Sequence, residues 1–143
     1  MPLNYRSMKR DGDRPRIENS KHGLGVVVNG EGGQSRADIT ALGGFVMPGT
    51  GGMSVAPSWR DLPSHRIPKR LATLAASDAG GRNDLVCWCM GDGPFAAGPV
   101  SGLLTLRPDK PDHGTVEPID PMTLHRYRAA LADTQSSWRI DEA

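Results

Sequence analysis

Apolar residues fall in short runs separated by glycine, proline and charged stretches. Pro2 to Met8 reads as a short first strand with Arg6 near its end, and the charged stretch Lys9 to His22 reads as a loop. Leu24-Gly25-Val26-Val27-Val28 is apolar and rich in β-branched residues, which predicts a strand. Asn29 to Ser35, with Gly30, Gly32 and Gly33, predicts a turn, and Gly43 to Met47 is another short apolar run. Pro57 to Pro68 carries three prolines and excludes a regular helix. Arg70 to Ala76 predicts one or two helical turns, and Asp78 to Asp84 a turn around Gly80-Gly81. Leu85 to Met90 is apolar on both alternations, as a strand buried on both faces requires. Leu103 to Arg107 and His113 to Glu117 complete the strands.

One helix is predicted near the C-terminus. Asp120 is its cap and Pro121 its first residue. Leu124, Tyr127, Leu131, Thr134 and Trp138 then recur at three- and four-residue steps, a stripe able to pack on a sheet, with His125 on the outer side. Five or six short strands with one or two helices predict a single α+β domain over residues 1–143.

Composition narrows the reading. Glycine (18) and proline (12) make up about a fifth of the 143 residues, against roughly 12% in average usage, so turns and short elements should dominate. A formal net charge of +1 removes any global electrostatic case for nucleic acid or membrane binding. No apolar run approaches the roughly 20 residues of a membrane span, and the N-terminus has no signal-peptide core. A cytoplasmic protein without Sec-type export is expected. Cys87 and Cys89 flank Trp88, too close to cross-link well; core packing is their expected role, since no further metal ligands stand at workable spacing.

Three segments are candidates for chemistry. In Thr50-Gly51-Gly52-Met53-Ser54-Val55, paired glycines allow close backbone approach to a ligand, and Ser54 follows as a donor; a plain turn into a strand is the alternative. Arg6 at a strand end offers a fork of donors that suits a pyrophosphate, or is a surface arginine. His113, Thr115 and Glu117 share one face of an extended segment, a group able to bind a ribose and steady positive charge on a sugar carbon, or a solvated strand face. Trp59 is a stacking platform for a nicotinamide or adenine ring, or a loop anchor. Ser64 to Arg70 is a local basic patch for cofactor phosphates or nucleic acid, or a solvated loop.

Arginine at the end of a first strand, serine after a central turn and a late glutamate resemble the Arg–Ser–Glu order of the ADP-ribosyltransferase superfamily. Asn4-Tyr5-Arg6, Thr50 to Val55 and His113 to Met122 are most similar to a small toxin-type branch delivered by bacterial type VI secretion. The resemblance implies a compact transferase-like fold, NAD as cofactor, and a toxin acting as an NAD-dependent ADP-ribosyltransferase or NAD glycohydrolase. It implies Arg6 on the pyrophosphate, Gly51, Gly52, Trp59 and Thr115 around the cofactor, and Ser54 on the nicotinamide ribose. Glu117 or His113 is then the functional member of the late segment. It also implies a cognate immunity protein or antitoxin and a macromolecular acceptor. A binding or inhibitory protein without turnover is the alternative.

Overall fold

The computed structural model describes residues 1–31, 36–72 and 79–143. Among them the chain forms eleven strands and one α-helix: β1 Asn4–Asp11, β2 Arg14–Pro15, β3 Ile39–Leu42, β4 Phe45–Gly51, β5 Met53–Val55, β6 Leu85–Met90, β7 Gly98–Pro99, β8 Leu104–Lys110, β9 His113–Pro118, β10 Met122–Thr123, β11 Arg139–Ile140 and α1 Leu124–Ala132. Every pairing of named strands is antiparallel, in three sheets ordered β11-β6-β1-β2, β10-β4-β3 and β5-β9-β8-β7.

This corrects the α+β expectation of five or six strands. The architecture is predominantly antiparallel β, with a single nine-residue helix. The physical reason lies in the glycines and prolines. They divide the chain into pieces of two or three residues that still pair, such as β2, β7, β10 and β11, and such pieces carry no readable alternation. Within Pro57 to Pro68, where the prolines exclude a regular helix, Trp59–Asp61 and Ser64–Arg66 form 3₁₀ turns, and Lys69–Leu71 forms a further one. The expected helical turns beyond Ala72, the expected turn over Gly32 and Gly33, and the start of the turn from Asp78 lie outside the described residues.

Two further expectations shift. Leu24 to Val28 is fully buried but is not a strand; it makes isolated bridges at its ends, Ile17 with Leu24 and Val28 with Ile39. Scattered backbone bonds to Arg16, Glu18, Glu31 and Asp38, together with side chains, satisfy its backbone in place of a ladder. Asp38 Oδ2 accepts from Val27 N–H at 2.7 Å, Glu31 Oε1 accepts from Val28 N–H at 3.1 Å, and Arg128 Nη2 donates to the Val26 carbonyl at 2.8 Å. β-propensity reports burial here rather than ladder pairing. The helix starts later than Asp120 predicts, because Met122 and Thr123 pair with Val46 and Phe45; Thr123 is the cap, its Oγ1 accepting from Arg126 N–H at 3.1 Å. Thr134 and Trp138 lie beyond the helix but stay buried, linked by a 3.0 Å bond from Trp138 Nε1 to Thr134 Oγ1.

α1 docks through Tyr127. Its hydroxyl donates to the Val116 carbonyl at 2.6 Å and accepts from Met53 N–H at 3.2 Å, fastening the helix to the β5–β9 pair. The main core joins Met8 and Trp88 of the first sheet to Val116, Leu104, Tyr127 and Leu131. A smaller cluster of Trp59, Ile67, Leu71 and Cys87 lies on the other side of β6. Between these clusters the outer edge of β1 reaches the segment after β5: Tyr5 and Ala56 exchange backbone bonds at 2.8 and 3.0 Å.

Gly51 is required by this backbone. Its φ is +116°, and a Cβ there would lie 2.3 Å from the Asp38 carbonyl oxygen. Gly51→Ala should lower unfolding free energy by about 2–4 kcal/mol, measured by urea denaturation. Cys87 and Cys89 are fully buried, and burial pushes the Cys87 thiol up to about 12. In a thiol-labelling assay at pH 8, both should react only after unfolding.

Candidate functional site

A cavity of ≈ 470 Å³ opens where β1, β5 and the β8–β9 turn meet the 3₁₀ turns after Trp59. Arg6, Ser54 and His113, three distant candidates, all line it. The volume falls within the roughly 300–1,000 Å³ of small-ligand sites.

Arg6 points inward from β1 and is almost fully buried. Nε donates to the Gly23 carbonyl at 3.1 Å, Nη1 to Ser54 at 2.9 Å, and Nη2 to Ser20 and Gly25 at 3.2 and 3.5 Å. These bonds use four of its five N–H donors. Burial pulls its pKa down to about 10, with Asp38 opposing the shift and Arg66 adding to it. Arg6 therefore builds the cavity wall, rather than offering an open fork to a pyrophosphate.

Ser54 sits on β5 opposite Thr115 of β9. His113 begins β9, and an irregularity in the β8–β9 register between Pro108 and Lys110 brings Asp109 to it. Asp109 Oδ1 lies 2.6 Å from His113 Nδ1. With Nδ1–H directed at a carboxylate, Nε2 is left as the acceptor nitrogen.

Ser7 was not singled out by the sequence. The residue opposite it, Cys87, turns its backbone the other way: its N–H donates to Glu142 Oε2 at 3.2 Å and its carbonyl accepts from Asp141 N–H at 3.0 Å. Tyr5 bonds Ala56 on the outer edge, and Lys9 bonds His22 and Arg16 there. By the two-residue period, the N–H and C=O of Ser7 face that same edge, in the gap between them. Ser7 lines the cavity, and its buried Oγ has no hydrogen-bond partner among the described residues. A buried hydroxyl left this way is unusual in a folded protein.

Charged groups frame the cavity. Lys21 Nζ pairs with Asp38 Oδ1, and Arg66 Nη1 donates to the Lys21 carbonyl. Lys110 and His65 stand at the rim with Asp61 and Asp112, two carboxylates in no ion pair among the described residues. Lys21, Asp38 and Asp112 sit in loops, Asp61 in a 3₁₀ turn and Lys110 at a strand end, none with periodicity, so no sequence signal marked them.

Five candidates lie off the cavity. Glu117 is buried on β9, where Oε1 accepts from Gly49 N–H at 2.8 Å, Oε2 accepts from Thr115 Oγ1 at 2.7 Å, and Arg107 Nη1 lies 3.7 Å away. It pins the turn of β4 to β9, and Thr115 is spent on the same carboxylate. Gly51 and Gly52 give close approach to their own chain: a Cβ on Gly52 would lie 2.4 Å from the Val116 carbonyl. Trp59 is buried in the small cluster, with Nε1 donating to the Ala143 carbonyl at 3.1 Å, and Arg60 covers its ring at 4.3 Å. It anchors a loop and has no face open for stacking. No three His, Cys, Asp or Glu side chains gather as a metal site among the described residues, and no helix among them is long and apolar enough to cross a membrane.

The partition between wall and staple predicts different stabilities. Glu117→Ala strands the Gly49 N–H and should cost about 2–4 kcal/mol, whereas Ser54→Ala should cost under about 1 kcal/mol. Chemical denaturation of the two variants checks the contrast.

Compared with known proteins, the chain matches no family model and no curated protein.

Proposed function

We propose that the cavity binds NAD and that the protein is an NAD-consuming enzyme, transferring ADP-ribose to an acceptor or to water, in the manner of a bacterial toxin. The observation that carries this reading is Ser7, which lines the cavity with a hydroxyl that has no hydrogen-bond partner among the described residues. A primary carboxamide has one acceptor oxygen and two N–H donors. The Ser7 N–H, C=O and unpartnered Oγ offer it complementary partners. A nicotinamide ring seated there lies between Ser54 and the Leu62–Pro63 wall.

Arg6 contributes positive field from behind that edge, and the cations at the mouth, Arg66, Lys110 and His65, are the partners for a pyrophosphate. The chemistry NAD supplies is a glycosidic C1′–N bond whose cleavage leaves positive charge on the ribose carbon. Asp112 and Asp61 face the cavity and are the carboxylates able to oppose that charge, in place of the internally bonded Glu117. His113 Nε2, oriented through Asp109, is the acceptor for the proton of the attacking hydroxyl or water.

A second reading, a binding or inhibitory protein without turnover, is favoured by the consumption of Glu117 and of most Arg6 donors in internal bonds. The two readings part on nicotinamide release. With millimolar NAD the wild type should gain thermal stability, since a ligand of the folded state alone must raise it, and should release nicotinamide. His113→Ala and Asp112→Asn should keep the thermal shift and lose release by about 10²-fold or more. A thermal shift without release in the wild type would favour the second reading, and no shift at all would end the NAD proposal. Expression in a bacterial host should arrest growth, and co-expression of a cognate immunity protein should restore it.

A further inference from the structure

A second hollow lies at the far end of β1, where Lys9, Arg10 and Arg16 meet Val86 of β6 and Ile140 of β11. It encloses ≈ 630 Å³, and five cations surround it: Lys9, Arg10, Arg16, Arg70 and Arg82. Two carboxylates face it, each already gripped by one arginine through both oxygens. Arg82 Nε and Nη2 donate to Asp84 at 2.9 and 2.6 Å, and Arg70 Nη1 and Nη2 donate to Glu142 at 2.7 Å each. Lys9 has only a 3.6 Å approach to Glu18. Arg10 and Arg16 are exposed and enter no ion pair among the described residues. The lining thus keeps an excess of three cations, in a chain whose formal charge is only +1.

Both hollows draw lining residues from β1. Ser7 lines the first and Arg10 the second, three strand residues or roughly 10 Å apart. His22 is hydrogen-bonded to β1 at Lys9 and lies between them. Its imidazole is held below the usual range by burial first, then by Arg66 of the first hollow and by Arg82 and Lys9 of the second.

We propose that the second hollow binds the phosphodiester backbone of single-stranded nucleic acid and leads it along β1 toward the mouth of the first cavity. Guanidinium forks match phosphate oxygens in geometry and charge. The described lining contains no aromatic side chain, so there is no platform for stacked bases, and the strand is held by its phosphates. A recess lined by cations suits a single strand, whose flexible backbone can follow it. Several cations spread along an edge suit a repeating anion better than one small ion. This site stands on its own residues and does not depend on NAD binding.

The test is fluorescence anisotropy of the full chain with a labelled twelve-nucleotide RNA of mixed sequence, across 50–200 mM salt. Arg10→Gln/Arg16→Gln removes two exposed cations of the hollow, and Arg14→Gln/Arg126→Gln removes two exposed cations outside it. The first pair should weaken binding at least tenfold and flatten the log–log salt slope by about 1.4, two contacts at roughly 0.7 each for a single strand. The second pair should change affinity less than threefold, and both should melt as the wild type does. Equal binding by the wild type and the Arg10/Arg16 variant overturns the proposal. So does displacement of the RNA by polyglutamate at matched charge, which would make an acidic protein segment the ligand, or by sub-millimolar pyrophosphate, which would make the hollow a small-anion site. Because both variants retain the first cavity, their NAD thermal shift should match the wild type, which separates failure here from failure of the NAD reading.

Discussion

Arg6 lies inside the protein with its guanidinium divided among the carbonyls of Ser20, Gly23, Gly25 and Ser54. The surrounding architecture depends on this cation. It ties β1 to the loop that carries Leu24 to Val28 and to β5 of a different sheet, and thereby positions the stretch of β1 that carries Ser7 into the cavity wall. A buried charge is costly unless hydrogen-bonded throughout, and four carbonyl dipoles meet that cost here. Asp38 is its electrostatic counterpart nearby. That carboxylate holds Lys21 and the Val27 N–H, while its own backbone carbonyl accepts from Gly52 N–H at 2.9 Å.

From this frame the two hollows acquire different characters. The first combines the Ser7 position of β1, whose hydroxyl has no partner among the described residues, a histidine braced by Asp109 and charges of both signs, which suits a polar ligand with an anionic part. The second is shallow, cationic and without aromatic groups. Both take lining residues from β1, so one strand contributes to a candidate reaction chamber and a candidate docking track.

Much of the fold was legible in the sequence. Leu85 to Met90 is buried along its whole length, as apolar residues on both alternations require, and Tyr127 and Leu131 form the buried stripe of the helix. Two-residue strands were not legible, since a pair of residues has no period, and the many strands that glycine and proline create displaced the mixed α+β expectation. Leu24 to Val28 misled because an apolar β-branched run reports burial, while side chains of Glu31, Asp38 and the distant Arg128, rather than a neighbouring strand, bond its backbone. At the site, Arg6 and Ser54 of the Arg–Ser–Glu order line one cavity together with His113, whereas the third member of that order does not. Glu117 and Trp59 lie elsewhere, because a carboxylate and an indole serve equally well as internal staples, and residue type alone does not separate the two uses. Ser7 was invisible because its interest lies in the backbone edge it exposes.

The most direct test of the central claim is a titration followed at the Ser7 amide in protein carrying ¹⁵N only at serine. Adding nicotinamide, then NAD, should move the Ser7 resonance progressively to saturation, with Ser54 following and the distant Ser136 and Ser137 unmoved. A Ser7 amide that stays fixed at millimolar concentrations of both ligands would contradict the assignment of this strand edge as the recognition element.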